Sequence, residues 1–161
     1  VLTFLDPERD PLGAGYHITQ SKIAFGSGGI EGRGFLKGTQ SHLNFLPEKQ
    51  TDFIFTLWAE EWGIFGGLAL LLLYALILLY AGLIALRCRH SFGRLMAFGL
   101  MVNFSLYVFI NVAMVMGLIP VVGVPLPLVS YGGTAMLSVM IGFGLIMSCS
   151  LHRDSKLPRA L

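Results

Sequence analysis

The 161-residue sequence predicts an all-α integral membrane protein in which a large polar outer loop precedes three transmembrane helices. Three observations predict it. Only 12% of the residues are charged against 55% hydrophobic, with a mean hydropathy of +0.73, whereas soluble domains carry about 25% charged residues. Two charge-free runs of 25 residues, Trp62 to Leu86 and Leu95 to Ile119, and a third run from Thr134 to Leu151 can each cross a hydrocarbon core as a helix. The charge is also partitioned: residues 1–61 carry a net −3 and residues 62–161 a net +5. An ordinary soluble domain is excluded, and no nucleic-acid partner is expected.

Residues 1–52 are expected to be an outer, periplasmic loop with short helices. Within it, Tyr16 to Phe25 fits a short amphipathic helix lying on the membrane. Gly26, Gly28, Gly29, Gly32 and Gly34 follow as a loop whose backbone turns sharply or approaches another segment closely. They do not follow a strand and include no GxGxxG or Walker lysine, so a nucleotide cradle is a poor reading. Pro47 stops any helix arriving from upstream, and Thr51 or Asp52 can cap the helix that opens the first span, 53–86.

Arg87, Arg89 and Arg94 form a basic loop, 87–94, ahead of the second span, 95–119. Residues 120–133 carry Pro120, Pro125 and Pro127, which cannot share one regular helix. They read as an outer Pro/Gly loop that dips into the membrane where protein or a water-filled cavity satisfies its backbone. The third span, 134–151, ends at the basic tail 152–161. Three spans put the loop 87–94 and the tail on one side, and the positive-inside rule makes that side cytoplasmic. The two outer segments then face each other and can build one site. With no export signal ahead of the polar segment, we expect the chain to be the C-terminal part of a longer membrane protein.

Asp52, Thr56 and Glu60 recur at i, i+4 and i+8 along one helical face just above the bilayer core, with Glu60 one to two turns deeper than Asp52. Asp52 suits a helix cap equally with a general base or cation site at a membrane mouth. Glu60 and Glu61 suit a solvated pair at the headgroup level. Trp58 and Trp62 suit interfacial anchors. Asn103 and Asn111 suit interhelical hydrogen bonds, and His42 a solvated loop. Cys88 and Cys149 lack disulfide or metal-ligand spacing and read as small apolar residues near a membrane edge.

Several motifs occur in a fixed order: Asp6-Pro-Glu-Arg-Asp-Pro11-Leu-Gly-Ala-Gly-Tyr-His17, Gln20-Ser-Lys-Ile-Ala24, Gly38-Thr-Gln-Ser41, Phe45-Leu-Pro-Glu48, Thr51-Asp-Phe-Ile-Phe55 and Val124-Pro-Leu-Pro-Leu-Val-Ser-Tyr-Gly-Gly133. Over essentially the whole chain this set closely resembles the SEDS family (shape, elongation, division, sporulation). The stretch Ile119 to Gly133 resembles the elongation members, RodA, more than the division members, FtsW. The resemblance implies a bundle of roughly ten helices in the bacterial inner (plasma) membrane, of which this chain holds the large periplasmic loop and the last three spans. It implies polymerisation of lipid II into glycan strands with release of undecaprenyl diphosphate. It also implies a class B penicillin-binding protein and the elongation machinery as partners.

The family's aspartate in the large outer loop falls on Asp52, which the resemblance makes the catalytic base. Gln40, Ser41, Lys49, Glu60 and Ser130 are candidate substrate-binding residues. Because a diphosphate leaves already charged, one carboxylate suffices and the leaving group needs cations. Lys49, Lys37 and Arg33 are the local candidates. No metal ligand is assigned; a divalent cation is a candidate cofactor. A lipid-linked precursor transporter and a scaffold for the transpeptidase are the competing functions. Reconstituted in lipid by itself, this chain is expected to make no glycan from lipid II in a polymerase assay, because the cavity around the lipid would be incomplete.

Overall fold

The computed structural model describes residues 14–34 and 51–152. Four helices make up this part: α1 (Ala14–Ser27), α2 (Ile54–Arg87), α3 (Ser91–Val115) and α4 (Gly133–Leu151). No strand occurs among the described residues. The last three helices are long and apolar enough to cross a membrane. The third begins at Ser91, four residues ahead of its apolar run, and closes early in a Schellman motif. There Leu118 N donates to Ala113 O (2.8 Å) and Gly117 N to Met114 O (3.0 Å). Residues 116–119 therefore leave the helix although they remain apolar.

The first expected span is not one straight helix. At Gly63 the backbone takes φ 66°, ψ −162°, a conformation essentially restricted to glycine, and α2 breaks into an arm, residues 54–62, and a long limb, residues 63–87. In a straight helix Tyr74 would lie about 30 Å from Ile54. Here Phe53, Phe55, Leu70 and Tyr74 share one buried cluster, and the Trp58 indole Nε1 donates to Gly66 O at 2.9 Å. The arm is therefore folded back along its own limb. Asp52, ahead of the arm, lies deeper in the bundle than Gly63. This corrects the expectation that Glu60 sits one to two turns deeper than Asp52, because the fold-back reverses the direction of the arm.

A break of this kind strands backbone groups that lipid cannot satisfy. The loop after α1 supplies what is missing. Arg33 N donates to Glu60 O (3.1 Å), Gly34 N donates to Glu61 O (3.0 Å), and Ile64 N donates to Gly29 O (3.1 Å). The segment runs so close to the bend that a Cβ on Gly63 would overlap Gly32 N and the Ile30 carbonyl. The glycine loop expected to approach another segment therefore has its partner. Helix α1 packs against α2 and α3, and its buried Ser21 Oγ donates to Val115 O at the end of α3 (3.0 Å).

Packing differs between the two ends of the bundle. Around Cys88 and Cys149 most of the buried residues are small, Ala81, Ala85 and Ala97 among them, beside Ile84 and Ile146. Small residues let membrane helices approach closely where no hydrophobic effect drives association. Around the folded arm the cluster is bulky, including Phe104, Val108, Met114, Val115 and Leu126, with Phe104 tilted on both Tyr74 and Phe143. The cysteines are free and buried, and Cys88 Sγ donates to Cys149 O at 3.3 Å. Substituting Gly63→Ala in the full-length protein is expected to cost more than the about 1–3 kcal/mol of backbone strain alone, because its methyl would overlap Gly32 N and the Ile30 carbonyl, read as a lowered thermal midpoint in detergent.

Candidate functional site

The site forms where the tip of the arm meets the proline loop. Residues 51–53 make a turn ahead of α2, and the N-cap position falls on Phe53 (φ −105°, ψ 18°) rather than on Thr51 or Asp52. Asp52 is 7% exposed, and Thr56 and Glu60 on the same arm are fully buried. Glu60 is thus not part of a solvated pair, while Glu61 is half-buried. The stripe foreseen from the spacing faces protein.

Two side chains fix this turn to the rest of the bundle, and a third fixes the proline loop to the limb. The Asn111 amide donates to Asp52 O (2.9 Å) and to Val124 O (2.7 Å), joining α3, the turn and the proline loop at one nitrogen. The Ser130 hydroxyl donates to Thr51 O (2.5 Å) and accepts from Leu126 N (2.7 Å). The Tyr74 hydroxyl donates to Pro127 O (2.5 Å). Tyr74 lies 11 residues past the bend, about 16 Å along the limb at the rise of an α-helix, so the proline loop dips into the bundle. The loop carries strain there: Leu128 has φ 66°, a left-handed conformation costing a side-chain-bearing residue about 1–2 kcal/mol.

The Asp52 carboxylate faces the loop at Gly123. Its Oδ2 lies 3.3 Å from where a Cβ on Gly123 would stand, and Gly123 has φ 72°. A residue without a side chain lets the carboxylate meet backbone there. Beside the turn opens a cleft of about 570 Å³ lined by Ile54, Leu128, Ser130, Tyr131, Gly133 and Met136. An apolar cavity of about 120 Å³ lies between α3 and α4 under Pro125 and Pro127, with Asn103 and Ser138 in its wall.

Asp52, Ser130 and the proline loop are brought together. Glu60 lies at the other end of the arm, beside the bend. Arg33 is exposed on the segment that bridges the bend, its Nε donating to Ser27 O (3.3 Å). Gln40, Ser41, Lys49, Lys37 and His42 lie outside the described residues. Among the described residues no cluster of three or more His, Cys, Asp or Glu can hold a metal ion. Trp58 and Trp62 stack at 5.9 Å on the exposed side of the arm. Sequence reasoning gave Asn111 a generic interhelical role and did not foresee that its partners are the carbonyls of Asp52 and Val124. Its placement about one turn before the end of α3 at Val115 was the available signal.

Known proteins resemble the chain along nearly all of its length. A family model described as cell cycle protein, FTSW_RODA_SPOVE, matches residues 1–155. The peptidoglycan glycosyltransferase MrdB of Escherichia coli K12 is 60% identical over 153 residues, covering 95% of this chain and 41% of that protein. The peptidoglycan glycosyltransferase RodA of Treponema pallidum is 47% identical, covering 95% and 35%. A structure described as structural coordination of polymerization and crosslinking by a peptidoglycan synthase complex superposes with a TM-score of 0.79 at 33% identity, covering 96% of this chain and 41% of the other. An aspartate-to-alanine mutant of the rod-shape-determining protein RodA of Thermus thermophilus gives 0.66 at 34% identity, covering 79% and 40%. The chain thus spans about two fifths of the length of these relatives. It belongs to the FtsW/RodA/SpoVE family of multi-pass membrane proteins.

Proposed function

We propose that this chain is the C-terminal part of a membrane peptidoglycan glycosyltransferase of the elongation type, with Asp52 as general base. The observation that carries the reading is the buried Asp52 turn, tied to α3 and to the proline loop by Asn111 and Ser130. Likeness to proteins named peptidoglycan glycosyltransferases supports it. In this reading the protein polymerises lipid II and releases undecaprenyl diphosphate.

The chemistry asks one carboxylate to take the proton of the attacking sugar hydroxyl while the anomeric carbon loses its diphosphate. The leaving group departs already charged and needs cations rather than an acid. Lys49, Lys37 and Arg33 are the local candidates; Gln40, Ser41 and Ser130 are candidates for contacts to sugar or diphosphate. Glu60 is a further candidate whose burial beside the bend suits tuning the site better than direct contact. In this topology the arm and proline loop are periplasmic, with residues 87–94 and the tail cytoplasmic. A folded arm holds the base within the bundle, which suits a substrate whose polyprenyl chain stays in the bilayer. A class B penicillin-binding protein as partner is supported by the likeness to a polymerisation and crosslinking complex.

Asp52→Asn keeps the shape and removes the proton acceptor. In the full-length protein it is expected to lower lipid II polymerisation by on the order of 10²–10⁴-fold without abolishing lipid II binding. Near-normal polymerisation by this variant would overturn the reading, and so would loss of lipid II translocation with polymerisation intact. Gly123→Ala sets a methyl 3.3 Å from Asp52 Oδ2 at a positive φ. Glycan synthesis by that variant is expected to fall on the order of tenfold, as a barrier increase of about 1.4 kcal/mol would give, measured as initial rate at saturating lipid II.

A further inference from the structure

Asn111 is fully buried, and among the described residues only the nitrogen of its amide is hydrogen-bonded. Its Nδ2 donates to Asp52 O and Val124 O, and its Oδ1 has no hydrogen-bond partner among the described residues. A leucine of similar shape would remove that orphan acceptor but leave the carbonyls of Asp52 and Val124 without this donor, so the amide is of use at this position for its two donors. What the amide does is geometric. It holds two carbonyls at opposite sides of one nitrogen, one belonging to Asp52 and the other to Val124, the neighbour of Gly123. Gly123 is the residue that the Asp52 carboxylate meets.

We infer that Asn111 is a positioning residue for the Asp52 carboxylate, fixing the separation between the arm tip and the proline loop. The inference rests on the reading of Asp52 as the base. Ser130 makes a different tie, its hydroxyl bonding Thr51 O and Leu126 N rather than Asp52 or Val124. Asn111 sits on α3, which ends in the Schellman closure at Gly117 and packs through Ala97 near its other end. The clamp is thus mounted on a helix that does not share the fold-back of the arm.

The test uses the full-length protein in lipid vesicles with lipid II, measuring kcat, KM and the thermal midpoint. Asn111→Leu is expected to lower kcat by on the order of 10²-fold, the loss that displacing a reacting group by about 1 Å gives, with KM changed by less than about threefold. Asn111→Gln, which keeps the amide donors, is expected to recover at least tenfold of that loss. If Asn111→Leu does not accumulate folded, Asn111→Ala carries the same expectation. Normal kcat per folded molecule in the leucine or alanine variant would overturn the inference. Equal losses in all variants that follow the drop in thermal midpoint would overturn it too, since only a structural role behaves so. Asp52→Asn separates the two claims: its inactivity beside an active Asn111→Leu removes the positioning role alone, and its full activity removes the base itself.

Discussion

A helix that breaks at a membrane boundary exposes carbonyls and amides that lipid cannot bond, and the bend at Gly63 survives because residues 28–34 bond them. Arg33 and Gly34 give donors to Glu60 and Glu61, and Gly29 accepts from Ile64. Burying such groups unpaired would cost several kcal/mol each. The bend turns the arm back along its own limb, and Phe55 and Tyr74 can then enter one cluster. Without it, Asp52 would stand about 16 Å beyond Gly63 along a straight helix, far from the proline loop.

The dip of the proline loop is the second half of the same arrangement. Its prolines forgo backbone donors, which reduces what must be satisfied inside the bundle. Two of its carbonyls, those of Pro127 and Val124, are met by side chains from two directions, Tyr74 from the limb and Asn111 from α3. Ser130 closes the loop on itself and on Thr51 with one hydroxyl. Strain at Leu128 is compatible with a segment held at so many points, since a left-handed residue persists only where its surroundings over-determine it.

Much of this was legible in the sequence. The charge-free runs locate the crossing helices, the glycines after α1 announce a close approach, and the three prolines announce the loop between α3 and α4. The motifs carried the family. The fold-back was not legible, because residues 54–87 are apolar and rich in good helix formers, and one glycine inside a helix costs only about 1 kcal/mol. Only the distant segment 28–34 converts Gly63 from a weak point into a bend. The depth of Asp52 was misjudged for that reason, as a periodic face on a straight helix was projected onto a folded one. Likewise Asn111 is one amide among the polar residues of an apolar span until Val124 and Asp52 are brought to it.

The spacing of these contacts along the chain sets an order of assembly. The segment that completes the bend lies upstream of it, so during synthesis its donors exist before Glu60 and Glu61 need them, and the bend closes through a short loop of about 30 residues. The clamp behaves differently. Asp52 awaits Asn111, 59 residues later, and Thr51 awaits Ser130, 79 residues later. Contacts of that separation form late, because chain entropy must be surrendered before they return any stabilisation. The arm is therefore shaped early, while its tip gains its final company only when α3 and the proline loop arrive.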